Sequence, residues 1–312
     1  MNVLNIDKRI TGHFEKLLAS KRLGHAYLFV GPKEVGKTQT ALRVAQLVNC
    51  ESLTIKPCGE CPSCLKVSVG NHPDVMIMQE VDGSIKIDQI RFLVGRLQLK
   101  AFEAKTKVFI IRNVENMTLD AANSLLKTLE EPASNTLMIL TTAVLEANLD
   151  TIRSRCHVVK FFPVSRNRLQ DVLGPSQPMT QFLAVYTDGC VGQARQLLEN
   201  DFISYKNKVL DGFLSKSHED IVGKNILEKD KSKEALHIFL SIIRDAILFK
   251  TGVASDELMH IDRLKDVHSL SRCSFDQLSA IYQQVVDTKE LLDENLNAKM
   301  AFSILRQRVW AN

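Results

Sequence analysis

The feature that most constrains this chain is a glycine-rich loop between a short apolar run and a segment with helical periodicity. The apolar run Ala26–Val30 ends at Gly31, a four-residue spacer leads to Gly36, and Lys37 and Thr38 follow directly. This is the pattern G-x-x-x-x-G-K-T with a strand before it and a helix after it, which is typical of a phosphate-binding loop. A glycine loop without function is the alternative, and the flanking strand and helix argue against it.

The residue types in this loop match the chemistry of a nucleotide's phosphates. Gly31 and Gly36 allow the backbone to curl so that its N–H groups point toward one place. The N-terminus of the following helix adds positive potential there, and Lys37 adds a full charge. The hydroxyl of Thr38 suits a Mg²⁺ ion. We therefore expect the loop to bind ATP or ADP through Gly31, Gly36, Lys37 and Thr38.

The first half of the chain alternates strand-like and helix-like segments, which predicts an α/β fold with a parallel sheet covered by helices. One helix is predicted from Asp88 to Leu99, and another begins after the N-cap Thr118 and stops before Pro132. On such a sheet, ligands bind at the carboxyl ends of the strands, where the glycine loop lies. The predicted strands are Ala26–Val30, Asp74–Met78, Lys107–Ile111, Leu137–Thr141 and His157–Phe161.

The pattern changes after Phe162-Pro163, and no convincing strand follows. A few short helices are predicted over Ser165–Leu198. Longer amphipathic helices are predicted from Asp201 to Asn312, broken by the charged stretch Gly223–Lys233. A length of 312 residues is enough for two or three domains.

Composition restricts the location of the protein and the kind of partner it has. The net charge of +4 permits contact with nucleic acid but does not argue for it. No apolar run approaches the roughly 20 residues that span a bilayer, and the N-terminus lacks a basic-then-apolar signal pattern. We expect a cytoplasmic protein without a membrane partner.

A cysteine cluster follows the helix of the glycine loop. Cys50, Cys58, Cys61 and Cys64 can place four thiolates around one ion, and a Zn²⁺ ion held by four sulfurs has a structural role. An iron–sulfur cluster is the rival, but a ferredoxin-type run needs a cysteine where this chain has Ser68. The remaining alternative is a buried helix-end cysteine with three loop thiols. We expect zinc to hold an insert over residues 50–70.

The acidic partner of the glycine loop is missing from its usual place. An active ATPase of this type needs a carboxylate after a second strand, to support Mg²⁺ and the attacking water. The strand Lys107–Ile111 is followed instead by Arg112 and Asn113. A guanidinium beside Mg²⁺ reverses a charge pair worth roughly 4 kcal/mol at about 4 Å. We expect nucleotide binding without efficient hydrolysis. Arg112 either replaces the charge of the metal at the phosphates or points away from the loop.

At these residues the chain resembles the AAA+ clamp-loader subunits of bacterial DNA polymerase III, and most closely the delta-prime family. The resemblance covers nearly the whole chain, but the family's usual acidic pair aligns with Arg112-Asn113. Besides the glycine loop and the cysteines, the matching segments are His25–Phe29, Asn123–Pro132, Ile152–Cys156, Gly189–Arg195 and Leu292–Asn297.

The resemblance implies an architecture and a set of partners. It implies a RecA-like AAA+ nucleotide-binding domain over residues 1–163 with the zinc insert, a helical lid over 164–205, and a helical collar for oligomerisation over 206–312. The chain would join gamma/tau and delta subunits in an open ring within the DNA-directed DNA polymerase holoenzyme. That ring loads the sliding clamp onto primer–template DNA during replication.

The resemblance also assigns roles to two arginines. Arg155 matches the finger that the family points at the nucleotide of a neighbouring subunit, and Arg195 matches a nucleotide sensor on the lid. The alternative for Arg155 is a surface arginine paired with a local carboxylate, and Arg195 can equally serve packing. The alternative for the whole chain is a catalytically active ATPase of the gamma/tau type, against which Arg112-Asn113 and the lack of a long C-terminal extension argue.

Overall fold

The computed structural model describes residues 8–144, 150–174, 178–214 and 229–294, and also 297–298, 300–302 and 304–305. Met1–Asp7 and residues 223–228 of the charged stretch lie outside these ranges, as do Asn295 and Leu296 of the C-terminal motif. The described residues form two compact units. The first comprises those up to Val164 together with Cys190–Gln193, and the second comprises Ser165–Gly189 and those from Ala194 onward.

The first unit is built on a five-stranded parallel sheet with the order β2-β3-β4-β1-β5. Its strands are β1 (Ala26–Val30), β2 (Val75–Met78), β3 (Lys107–Ile111), β4 (Thr136–Thr142) and β5 (His157–Lys160). Its helices are α1 (Lys8–Ala19), α2 (Lys37–Asn49), α3 (Pro62–Ser68), α4 (Ile87–Gln98), α5 (Leu119–Glu130) and α6 (Asp150–Arg153). The predicted parallel α/β sheet is confirmed, and its strands are the predicted ones to within one or two residues.

Alternation along the strands divides the core into two apolar layers. Leu28 of β1 packs in a cluster with residues of α4 and α5, and its neighbour Phe29 packs in a second cluster with residues of α1 and α2. Successive side chains of a strand point to opposite faces, so the sheet is buried on both sides. Because β3, β4 and β1 are parallel neighbours in the sheet, their carboxyl ends lie at one edge.

The helix after β3 begins as predicted. The Thr118 side chain accepts a hydrogen bond from the N–H of Ala121, which caps α5. The helix ends at Glu130, before Pro132. A 3-10 turn over Val114–Asn116 connects β3 with α5.

The second unit is built from helices, of which α9 begins in residues 191–193 that belong to the first unit. Its helices are α7 (Arg166–Leu173), α8 (Pro178–Tyr186), α9 (Val191–Glu199), α10 (Phe202–Leu214), α11 (Lys229–Lys250), α12 (Leu264–Leu270) and α13 (Phe275–Asp293). Phe213 stacks on Phe239 with ring centroids 3.9 Å apart, and the fully buried Lys206 forms an ion pair with Asp262. Because α11 starts at Lys229, the end of the charged stretch is helical rather than a break. The division into lid and collar stays a prediction.

None of the helices that the structure describes is long and apolar enough to cross a bilayer.

Candidate nucleotide site and cysteine cluster

The glycine loop lies at the carboxyl end of β1, where the sheet and α2 meet. Gly36 caps α2 with φ +103°, and it has no side chain to accept a hydrogen bond from the first turn. The N-terminal N–H groups of α2 are therefore left for another acceptor, and an anion is the natural one. Thr38 is half-buried on this first turn.

Lys37 is held against the loop by two backbone carbonyls. Its side-chain nitrogen donates to Gly31 O (2.5 Å) and Pro32 O (2.7 Å), and the residue is buried. Burial lowers the pKa of Lys37, and the nearby carboxylates of Glu115 and Glu34 oppose that shift. A phosphate group that binds here takes the place of one or both carbonyls as the acceptor.

Gly31 is required by a close approach between two strands. A Cβ at this position would lie 2.4 Å from the carbonyl oxygen of Phe161, which follows β5. We expect Gly31→Ala to displace the loop, lower the free energy of unfolding by about 1–3 kcal/mol and weaken nucleotide binding. Chemical denaturation and titration with a fluorescent ATP analogue measure both effects. Gly12→Ala on α1 is the matched control, because nothing lies within 4 Å of its added Cβ; equal losses in both variants would contradict the argument.

The two residues in the usual acidic positions point to other partners. Arg112 donates to the side chain of Gln79 (3.0 Å), which follows β2. Since β2 lies on the far side of β3 from β4 and β1, this contact directs the guanidinium away from the glycine loop. Asn113 has a left-handed backbone (φ +52°), and its N–H donates to the buried Thr141 hydroxyl (3.3 Å). Asparagine tolerates this conformation better than most residues.

A carboxylate that the sequence argument overlooked lies at this edge of the sheet. Glu115 is in the 3-10 turn after β3, and one of its oxygens accepts the N–H of Ala143 (3.1 Å). The preceding residue, Thr142, accepts the N–H of Gly31 through its carbonyl (3.2 Å), so Glu115 is adjacent to the start of the loop. The other oxygen of Glu115 is buried without a hydrogen-bond partner. The sequence signal was an acid two positions after Asn113.

The cysteine cluster brings together the four predicted residues. The sulfur atoms of Cys50, Cys58, Cys61 and Cys64 all lie within 4.8 Å of one another. Cys58 N–H points to the Cys50 sulfur (3.4 Å), and Cys61 N–H points to the Cys58 sulfur (3.3 Å). Backbone donors of this kind stabilise thiolates. The cluster is therefore suited to hold a metal ion.

The thiols of the cluster differ in their protonation. Hydrogen bonds from the backbone N–H groups of Glu60 and Cys61 lower the pKa of Cys58 to about 6. Burial raises the pKa of Cys64 to about 12. Because a metal ion binds the thiolate form, metal binding displaces the proton that Cys64 otherwise keeps. His72 is not a member of the cluster, since its ring contacts the Ser63 hydroxyl (3.3 Å) and the N–H of Asp74 (3.2 Å).

Arg155 lies just before β5 and is engaged by its own chain. Its Nε donates to Glu130 Oε1 (2.8 Å), and Nη2 contacts the same oxygen. Nη1 donates to Thr151 O (2.8 Å) and to the Ser154 hydroxyl (3.1 Å). The side chains of Arg155 and Glu130 are 32% and 50% exposed, so the pair lies at the surface of the unit.

Comparison with known proteins decides the family. A family model described as "DNA polymerase III, delta subunit" matches residues 6–165, and one for the C-terminal part of the delta subunit matches residues 200–305. The chain is 33% identical over 293 residues to the DNA polymerase III subunit delta' of Bacillus subtilis, covering 89% of this chain and 88% of that protein. The chain belongs to the delta-prime family of DNA polymerase III subunits.

This delta-prime family member is also similar to a second curated protein and to a solved structure. The tau subunit of Bacillus subtilis is 30% identical over 282 residues, which are 78% of this chain and 49% of tau. A crystal structure of a gamma subunit-related protein from Thermotoga maritima has a TM-score of 0.48 at 18% identity, covering 95% of this chain and 99% of that one. The predicted membership of the delta-prime family is confirmed by the two family models and by the relative from Bacillus subtilis.

For this delta-prime family member, the structure brings together some predicted site residues and leaves others as predictions. Gly31 and Gly36 lie in the loop, and Lys37 and Thr38 begin the helix α2 that follows it. Arg195 is half-buried on α9 in the second unit, and its sensor role stays a prediction.

Proposed function

We propose that this chain is the delta-prime subunit of a cytoplasmic DNA polymerase III clamp loader. It assembles with gamma/tau and delta subunits and helps load the sliding clamp onto primer–template DNA. The single observation that carries the proposal is the identity to delta' of Bacillus subtilis over most of both chains. The experiment is reconstitution: the complex should load clamps with this chain and fail to load them when it is omitted.

The nucleotide role that we propose is binding without efficient turnover. The loop offers the N-terminus of α2, Lys37 and Thr38 to the phosphates of ATP or ADP, and Mg²⁺ would neutralise their charge. Arg112 and Asn113 provide no carboxylate where a water-activating acid is needed. The hydrogen bond from Arg112 to Gln79 supports the alternative in which the guanidinium points away from the loop.

One observation favours the second candidate, an active ATPase of the gamma/tau type. Glu115 has a buried, unpaired carboxylate oxygen beside the loop, and a carboxylate there can support a metal ion or a water molecule. Because Glu115 also stabilises the charged form of Lys37, the same residue can act purely as a counter-ion.

An assay on the isolated chain distinguishes the two functions. We expect the chain to bind Mg²⁺–ATP with measurable affinity and to hydrolyse it far below the roughly 1 s⁻¹ expected of a working enzyme. Lys37→Met should abolish the binding, because it removes the charge that faces the phosphates. Calorimetry and a phosphate-release assay measure the two quantities. Hydrolysis at an ordinary rate that is lost in Glu115→Gln or in Asn113→Ala would establish the second candidate.

For the cysteine cluster we propose zinc in a structural role. Four sulfur donors fill a tetrahedral site and leave no open position for catalysis. The ion would connect the end of α2 with α3 and so stabilise the insert between them. Cys50 lies directly after α2, and Cys64 lies on α3.

We also propose that Arg155 acts as a finger on the nucleotide of a neighbouring subunit. The family motif around Arg155 supports this role, and the exposure of the side chain is compatible with it. The ion pair with Glu130 agrees with the alternative interpretation, in which Arg155 is a surface arginine paired with a local carboxylate. A finger and a local ion pair are compatible when the pair is weak enough to open.

A further inference from the structure

We propose that Glu130 is a positioning residue that holds Arg155 in a parked orientation in the free chain and releases it to the phosphates of a neighbouring subunit. The inference rests on the proposed role of Arg155 as a finger. It adds a residue, Glu130, that controls when that finger is available.

The hydrogen bonds show why Arg155 cannot act while it is parked. A guanidinium has five N–H groups. Four of them are engaged here, two by Glu130 Oε1, one by Thr151 O and one by the Ser154 hydroxyl. Bidentate binding to a phosphate needs two N–H groups on one edge of the guanidinium. Contact with a phosphate through such an edge therefore requires that one of these partners leave.

Charge gives a second reason. Glu130 neutralises the guanidinium at hydrogen-bond distance, whereas a finger acts by presenting an uncompensated positive charge to phosphate oxygens. Of the partners of Arg155, Glu130 is the one whose departure restores that charge. The Thr151 and Ser154 contacts are neutral and can persist.

The position of Glu130 on its helix shows that an acidic side chain here does not stabilise the helix itself. Glu130 is the last residue of α5 and Glu131 follows it, where the partial negative charge of the helix end disfavours acids. Arg155 compensates this charge for Glu130. Among the described contacts, Glu131 has no such partner, and only its backbone N–H is engaged, with Lys127 O.

Exposure makes the pair reversible. With side chains 32% and 50% exposed, the two groups form a solvent-screened pair of the weak kind. Such a pair lowers the fraction of free Arg155 by up to about five-fold. An arriving triphosphate, with several negative charges, displaces one carboxylate readily.

The test compares Glu130→Gln with its neighbour Glu131→Gln in the reconstituted clamp-loader complex. Glutamine keeps the length of the side chain and removes the charge. We expect Glu130→Gln to raise the single-turnover rate of ATP hydrolysis at subsaturating ATP by about two- to five-fold. The gain should shrink as sodium chloride is raised, because salt already weakens the pair in the parent protein. Glu131→Gln should leave the rate unchanged.

The double variant Glu130→Gln/Arg155→Ala separates the failures. If Arg155→Ala leaves hydrolysis unchanged, the finger role fails and the parking role fails with it. If Arg155→Ala slows ATP hydrolysis while Glu130→Gln and Glu131→Gln hydrolyse ATP at the same rate, the finger role stands and the parking role is overturned. Any gain from Glu130→Gln that persists in the Arg155→Ala background also overturns it.

A measurement on the isolated full-length chain does not depend on activity. The Nε–H proton of Arg155, assigned by its loss in Arg155→Ala, should exchange with water faster in Glu130→Gln than in the parent protein or in Glu131→Gln. Equal exchange in all three proteins would show that Glu130 does not hold the guanidinium in solution.

Discussion

Replacing Arg155 with alanine should slow ATP hydrolysis at the neighbouring site by about 10³–10⁵-fold, the range for a finger supplied in trans. The physical reason is the loss of a positive charge that stabilises the transferring phosphoryl group in a water-poor site. The variant should still assemble, because the Arg155 side chain is partly exposed and its ion pair with Glu130 is a surface pair. Single-turnover hydrolysis and clamp loading by the reconstituted complex measure the effect, and size-exclusion chromatography checks assembly.

Arg153→Ala is the matched control for this experiment. Arg153 lies two positions away, and its guanidinium pairs with Asp150 (3.0 Å) within α6. It carries the same charge on the same motif but has no proposed role at the nucleotide. If the Arg155→Ala complex assembles and hydrolyses ATP at the parental rate, the finger role of Arg155 is wrong. It is also wrong if Arg155→Ala and Arg153→Ala reduce the rate of hydrolysis equally.

Loss of metal from the cysteine cluster should produce the largest effect on stability. Structural zinc supplies roughly 10 kcal/mol or more of folding free energy in small zinc domains. We expect Cys58→Ser to lower the bound zinc below one ion per chain and to make residues 50–70 sensitive to protease. If about 3 kcal/mol of the loss reaches the first unit, its melting temperature falls by roughly 6–12 °C. Mass spectrometry for metals, limited proteolysis and calorimetry measure the three effects.

Cys273→Ser provides the control for cysteine replacement. Cys273 is half-buried like Cys58, but it lies outside the cluster, after α12. Its loss should change neither the metal content nor the protease sensitivity of the insert. Iron instead of zinc in the purified protein would support the rival cluster, and metal-free protein with an intact, protease-resistant insert would contradict a structural ion.

The strands and helices of the first unit could be predicted from the sequence because the patterns that indicate them involve neighbouring residues. The run Lys107–Ile111 was predicted as a strand and is one, since the four apolar residues Val108–Ile111 after Lys107 are typical of a short strand buried on both faces. Thr118 and Pro132 marked the ends of α5 for reasons of capping and backbone sterics. The cysteine spacing likewise predicted a cluster that the structure shows.

The sequence by itself thus determined the individual strands and helices of the first unit, the glycine loop at the end of β1 and the four-cysteine cluster, because each depends on residues close together along the chain. Only the tertiary structure decided that Glu115 lies beside the loop, that Arg112 turns toward Gln79, and that Glu130 holds Arg155. These contacts join residues about 25 or more positions apart. The order of the strands in the sheet decides which distant residues come into contact, and no periodicity in the sequence encodes that order.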